Sequence, residues 1–77
     1  MHKVKPNLAE LARKWPSAFV ARQQVPAFTG GAISAHRIAN LDCAGEGPRD
    51  RIRIGRKVCY SVDSLVAWLE ARATSLD

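Results

Sequence analysis

The segment "RIRIGRKVCY", residues 51–60, constrains the fold more than any other part of this 77-residue chain. Basic and apolar side chains alternate on both sides of Gly55, and a period of two is typical of β-strands with one buried face. Glycine readily adopts the positive φ that a tight turn requires. The pattern therefore predicts a β-hairpin whose turn contains Gly55.

The register of the hairpin depends on the length of its loop. A loop of three residues, 55–57, pairs Ile54 with Val58 and produces one continuous apolar face. A loop of two residues pairs Ile54 with Lys57 instead and mixes charge into that face. Because register follows the buried pattern, we expect the three-residue loop. This register turns four side chains toward the core: Ile52, Ile54, Val58 and Tyr60.

The same register places the cations of the hairpin on its exposed parts. Arg56 and Lys57 fall at the tip, and Arg51 and Arg53 fall on the outer face. Two cations at a protruding turn have no evident structural use, so the tip is expected to contact an anion. Arg51 has a simpler explanation, since a charge on a short edge strand also opposes aggregation.

Capping residues and apolar spacing predict helices on both sides of the hairpin. Asn7 is expected to cap a first helix that Pro16 ends. A second, short helix is expected over about 22–28. It starts late or is bent, because Pro26 is tolerated only in a first helical turn. After the hairpin, an amphipathic helix follows a cap at Ser61 or Asp63.

A glycine turn and one further helix complete the predicted order of elements. The segment "TGG" at 29–31 supplies positive-φ positions for a turn. Ser34 then caps a helix that ends near Cys43, with Ile38 and Leu41 on its inner face. Two short helices across a turn, followed by a hairpin, describe a winged helix-turn-helix.

The sequence also resembles a known family over about residues 19–72. The G-x-G-P loop at 45–48, the run "IRIGRKVCY" and the tail "VDSLVAWLE" are similar to excisionase and MerR-like winged helix-turn-helix domains, including AlpA-type prophage regulators. This resemblance implies a mostly α fold with a small β-hairpin, an extra N-terminal helix and a C-terminal amphipathic helix. We expect a single domain over residues 1–77, with its core at about 19–73 and the extra helix at about 7–15.

The resemblance and the residues together imply binding to double-stranded DNA. The second helix of the motif would enter the major groove, where asparagine can pair with adenine and arginine with guanine. The hairpin, or wing, would follow phosphates or the adjacent minor groove. The predicted DNA-binding residues are Ser34, His36, Arg37, Asn40, Arg51, Arg53, Arg56 and Lys57.

The charge of the chain agrees with this interpretation without selecting it over others. The net charge is +5, and Asp50 is the only acid in the strongly basic stretch of residues 49–57. A basic patch of this density suits nucleic acid or another anionic surface. His36 and Asn40 have a simpler explanation as solvated polar residues. The scattered aromatic residues are expected in the core, not in base stacking.

Other function classes find little support in the sequence. No catalytic constellation is recognisable, so we expect no enzymatic activity. Cys43 and Cys59 are expected to be reduced thiols, with no metal site and no cofactor. The chain lacks an apolar run of membrane-spanning length and a secretory signal, so we expect a cytoplasmic protein without membrane partners.

Two interpretations of function remain open at this level. The first is an excisionase-like architectural factor or small transcriptional regulator from a phage or mobile element. It would need no small-molecule effector, because the chain ends soon after Ala73, and copies would associate only weakly on DNA. The alternative is a protein-interaction adaptor, such as a phage or toxin-system accessory, that keeps the winged fold without binding DNA.

Overall fold

The computed structural model describes residues 7–74 and residue 76. Within these residues the chain forms a mixed α/β fold, with short helices packed against a three-stranded antiparallel sheet. The elements in chain order are α1 (Ala9–Lys14), β1 (Phe19–Ala21), a 3-10 turn (Arg22–Gln24), α2 (Val25–Phe28), α3 (Ala35–Cys43), β2 (Arg51–Ile54), β3 (Lys57–Ser61) and α4 (Val62–Arg72).

Strand β1 was not predicted, and it makes the sheet larger than a hairpin. The strand order is β1-β3-β2, so β3 is central and pairs with both neighbours. Val20 lies opposite Tyr60, and both side chains are fully buried. A strand of three residues is too short to show alternation in the sequence, and its position is set by pairing with β3, about 40 residues away.

The hairpin is confirmed, but its predicted register is wrong. Ile54 lies opposite Lys57 and Arg53 opposite Val58, so the loop contains only Gly55 and Arg56. Gly55 has a φ of 62°, and a glycine with positive φ at the first loop position is typical of a type II′ turn. This turn matches the right-handed twist of the two strands, which explains why the two-residue loop is preferred.

The corrected register changes which side chains of β2 face the core. Residues directly opposite one another share a face of the sheet, so Arg51 lies on the face of Tyr60. Ile52 and Ile54 lie on the other face and are exposed. Thus the predicted inward isoleucines and outward arginines are exchanged, although Val58 and Tyr60 do face the core.

Side-chain caps begin α3 and α4 at the predicted positions. The Ser34 Oγ accepts a hydrogen bond from the Arg37 backbone N–H at 2.9 Å. The Ser61 Oγ likewise accepts from the Ser64 N–H at 3.1 Å. Helix α1 begins at Ala9, one residue later than a cap at Asn7 would give, and the Glu70 carboxylate accepts from the Leu8 N–H at 2.7 Å.

The core lies between the sheet and the helices. Its buried residues come from β1, α2, α3, β3 and α4: Val20, Val25, Phe28, Ile38, Tyr60, Val62, Leu65, Val66 and Leu69. Trp15, after α1, packs edge-to-face on Phe28 with ring centroids 5.2 Å apart.

Pro26 stands in the first turn of α2, after the 3-10 turn, in the only part of a helix that tolerates it. Of the two alternatives, a late start and a bend, the structure has the late start, and the helix begins at Val25.

None of the helices within the described residues is long and apolar enough to cross a membrane.

Candidate nucleic-acid interface

Helix α3 presents an exposed polar row along the side opposite the core. Ile38 and Leu41 are buried, whereas His36, Arg37 and Asn40 are exposed. His36 and Asn40 stand four residues apart and are therefore neighbours on the helix surface. Within the described residues, none of these three side chains forms a hydrogen bond or an ion pair. They are free to contact a ligand.

Ser34 lies at the N-terminal end of the same row. Its Oγ accepts the capping bond from Arg37, which leaves the hydroxyl proton available for donation. The preceding turn contains Gly30 with a φ of 66° and Gly31 with a φ of 90°, as expected for residues 29–31. This backbone reverses the chain between α2 and α3 and exposes the start of α3.

The tip of the hairpin carries three cations in different surroundings. Arg56 occupies the second position of the loop and is exposed, and its side chain forms no ion pair with the part of the chain that the structure describes. Arg53 is also exposed and has no acidic partner among the described residues. Lys57 donates from Nζ to the Gln23 Oε1 at 2.7 Å, which connects the hairpin to the 3-10 turn.

A shallow groove of about 390 Å³ lies between the 3-10 turn and the hairpin tip. Its lining combines three cations with an amide and two small apolar residues: Ala21, Arg22, Gln23, Arg56, Lys57 and Val58. None of the described residues that line it is acidic. The groove suits an anion such as a phosphate better than an apolar ligand.

A buried carboxylate holds α3, β2, β3 and the 3-10 turn together. Asp42, only 6% exposed, accepts hydrogen bonds from Arg22 Nη2 at 2.7 Å and from the Tyr60 hydroxyl at 2.5 Å. Arg51 Nη1 lies 3.1 Å from the Asp42 Oδ1 as an ion pair, without the geometry of a hydrogen bond. Two arginines and a tyrosine thus compensate for the buried charge.

We call Asp42, Arg22, Arg51 and Tyr60 the buried cluster. The contacts within it shift the pKa values of two of these residues. Burial raises the pKa of Tyr60 to about 12, and its hydrogen bond to Asp42 acts in the same direction. The hydrogen bond to Tyr60 raises the pKa of Arg22 above its usual value, and the bond to Asp42 adds to the effect. Arg22 therefore stays cationic and Tyr60 stays protonated throughout the physiological range.

The structure gives Arg51 a role that sequence reasoning missed. It was expected on the outer face of the hairpin, but it lies on the face of Tyr60 and reaches Asp42. Arg53 is on the same face, opposite Val58, although its side chain is exposed. The predicted DNA contact of Arg51 remains a prediction, since its side chain is still 48% exposed.

Arg22, Gln23 and Asp42 were not among the predicted site residues. One signal for Asp42 exists in the sequence, because it stands four residues after the inward-facing Ile38. A charged residue at an inward position implies a buried partner of opposite charge. Nothing in the local sequence identifies Arg22 as that partner, since twenty residues separate the two.

The two cysteines lie in different surroundings. Cys43 is exposed at the end of α3, Cys59 is buried in β3, and both are free thiols. Among the described residues, no group of three or more histidine, cysteine or acidic side chains is arranged to hold a metal ion.

Comparison with known proteins adds no relative to this description. No family model, no curated protein and no solved structure matches the chain.

Proposed function

We propose that this protein binds double-stranded DNA as a winged helix-turn-helix, with α3 in the major groove and the β2–β3 hairpin as the wing. The element order of two helices, a glycine turn and a hairpin supports this class of fold. The proposed setting is that of an excisionase-like architectural factor or a small transcriptional regulator. The predicted resemblance to excisionase and MerR-like domains supports that setting.

The observation that carries the proposal is the position of Asp42. It is the only acidic residue of α3, and the hairpin of residues 51–61 contains none. Its carboxylate is turned inward and is neutralised by Arg22 and Arg51. The exposed surfaces of α3 and the hairpin therefore present cations and uncharged groups without competing negative charge, as a DNA-binding surface requires.

The two surfaces would divide the work of recognition. On α3, Arg37 and Asn40 are suited to base edges, because their side chains can bond bidentately to guanine and adenine. Ser34, at the helix N-terminus, and His36 are suited to the flanking backbone. On the wing, Arg53, Arg56 and Lys57 would neutralise phosphates and supply affinity that does not depend on sequence.

The buried cluster would set the angle between these two surfaces. Asp42 belongs to α3, Arg51 to β2 and Tyr60 to β3, so their contacts connect the recognition helix directly to the wing. Since the hydrogen bond from the Tyr60 hydroxyl to Asp42 has defined geometry, the connection limits rotation of α3 against the sheet. Arg51 would then contribute mainly by positioning the wing.

The salt dependence of duplex binding tests the proposal. A mixed-sequence duplex of about 20 base pairs covers two helical turns, and its affinity can be followed by fluorescence anisotropy. The logarithm of the association constant should fall with the logarithm of salt concentration by about 0.9 per phosphate contacted. The double variant Arg53→Ala, Arg56→Ala should reduce that slope by about 1.8.

Lys14→Ala provides the matched control for these variants. Lys14 is exposed on α1, outside the proposed interface, and its replacement deletes one cation where the double variant deletes two. Its slope should equal that of the wild type. Equal slopes for all three proteins would show that Arg53 and Arg56 contact no phosphate, and an equal reduction per deleted cation in both variants would show that net charge alone governs binding. An absence of duplex affinity at low salt would contradict the proposed function.

A further inference from the structure

The sheet has one face that the core does not cover, which we call the open face. It lies opposite the face that carries Val20 and Tyr60, and its apolar side chains are Phe19, Ala21, Ile52, Ile54 and Cys59. Phe19 is 39% exposed, Ile52 41% and Ile54 55%. Of the four exposed large apolar residues in the described chain, three therefore share this face.

The open face ends at the edge of strand β2, where no other strand of the described residues pairs. Strand β2 pairs only with β3 in the sheet that the structure describes, and all four of its side chains are exposed. In a two-residue hairpin the residues that flank the loop are hydrogen-bonded to each other, and such pairs then alternate along the ladder. Ile54 and Ile52 are thus directed at β3, which leaves the N–H and C=O groups of Arg51 and Arg53 directed at the free edge.

This geometry argues against a second copy of β2 as the occupant of the edge. Only residues with free N–H and C=O groups can form the hydrogen-bonded pairs of a new antiparallel ladder. In a β2–β2 pair these are Arg51 and Arg53 from both copies, so every register places arginine opposite arginine. Like charges directly opposite one another are destabilising.

The same argument identifies the chemistry of a strand that would fit. Its residues opposite Arg51 and Arg53 should be acidic, and the alternate residues, which lie beside Ile52 and Ile54, should be apolar. Arg53 has no acidic partner within the described residues, and neither has Arg56 beside it, so an incoming carboxylate opposite Arg53 replaces no existing ion pair. Arg51 already pairs with the Asp42 carboxylate.

We propose that the free edge of β2 binds an extended segment of another protein in which acidic and apolar side chains alternate. The segment would add a fourth strand to the sheet, with its backbone bonded to Arg51 and Arg53 and its apolar side chains on the open face. The inference does not rest on DNA binding, because it is argued from the free backbone of β2, the open face and the charge of Arg51 and Arg53.

A synthetic peptide tests this inference on the full chain. The probe is a capped peptide of alternating glutamate and valine, about six residues long, which is the usual length of a strand. Titration of the isotopically labelled protein should shift the amide resonances of Arg51 and Arg53, and calorimetry should give the affinity. The same peptide with lysine in place of glutamate should not bind.

N-methylated peptides separate strand addition from simple charge attraction. Methylation of the glutamate nitrogens that face β2 removes backbone donors and should weaken binding at least about tenfold. Methylation of the valine nitrogens, which face away from β2, should leave the affinity unchanged. Equal affinity for both methylated peptides would overturn the inference, as would the absence of any binding by the parent peptide.

A protein variant gives the reciprocal test. Arg53→Pro deletes the edge-facing N–H together with the charge, whereas Arg53→Ala deletes the charge alone. Proline is tolerated on an edge strand where its missing N–H faces solvent, so both variants should keep the fold. Arg53→Pro should bind the peptide more weakly than Arg53→Ala, and equal affinities would contradict strand addition. Dimerisation of the wild type through β2 would overturn the choice of occupant.

Discussion

At the scale of single residues, Asp42 and its partners explain how a very basic chain keeps an acid inside. An isolated buried carboxylate is costly, but Arg22, Arg51 and Tyr60 all lie within 3.1 Å of its oxygens. The neighbouring Gly47 leaves room for this arrangement, because a Cβ built there would overlap the Asp42 carboxylate. The absence of a side chain at position 47 is therefore needed for the Asp42 carboxylate to occupy its buried position.

Gly47→Ala should destabilise the protein through this overlap. We expect a loss of about 1–3 kcal/mol in the free energy of unfolding, measured by urea denaturation. The control is a double-mutant cycle with Asp42→Ala, which removes the overlapping carboxylate. If the overlap is the cause, Gly47→Ala should cost much less in the Asp42→Ala background. Equal costs in both backgrounds would place the strain elsewhere.

Tyr60 should titrate well above an ordinary tyrosine. It is the only tyrosine of the chain, so its phenolate absorbance can be followed without interference from another tyrosine. Its pKa is raised from 10.0 to about 12 by burial and by Asp42. Because the folded protein holds the proton more tightly than the unfolded chain, this stabilisation is complete below pH 10 and is lost as the pH rises toward 12.

The variant Asp42→Asn isolates the contribution of the carboxylate to this shift. It removes the negative charge beside the phenol and should lower the pKa of Tyr60 toward its usual value, while burial keeps part of the shift. A wild-type Tyr60 that titrated like an exposed tyrosine would contradict the buried cluster.

At the scale of elements, features that depend on neighbouring residues were predicted from the sequence, whereas features that depend on distant contacts were not. Helices α3 and α4 were predicted correctly because Ser34 and Ser61 are local caps followed by apolar residues at helical spacing. The register of the hairpin was predicted wrongly, because the prediction assumed that Ile52 and Ile54 are buried. The geometry of the turn at Gly55 determines the register instead, and it leaves Ile52 and Ile54 on the open face, away from the core.

The buried cluster shows the same limit within the candidate site. The exposed row of α3 and the cations at the hairpin tip follow from periodicity and composition alone. The partnership of Arg22 with Asp42 does not, because it depends on how the 3-10 turn packs beside α3. The role of Arg51 depended in turn on the register and was missed with it.

Two threonine substitutions test the register directly. Ile54→Thr replaces an exposed side chain on the open face and should change the free energy of unfolding by no more than about 0.5 kcal/mol. Val58→Thr introduces a hydroxyl on the core face and should cost about 1–2 kcal/mol. Both replacements are β-branched, so strand propensity changes little. Similar large losses from both variants would instead support the three-residue loop.

At the scale of the whole molecule, the proposed function depends on the separation of charge. Asp42, the acidic residue of α3, is buried and paired with arginines. The exposed row of α3 and the wing carry Arg37, Arg53, Arg56 and Lys57. The buried cluster connects these two surfaces through α3, β2 and β3. The central claim is therefore that one duplex contacts both surfaces at once, with α1 remaining outside the interface.

Amide chemical-shift mapping with a duplex of about 20 base pairs tests this claim most directly. At low salt, the account predicts shifts concentrated in residues 34–40 of α3 and residues 53–57 of the hairpin, with little change over Ala9–Lys14 in α1. Shifts confined to α1 and α4, or uniform weak shifts without a preferred surface, would contradict it.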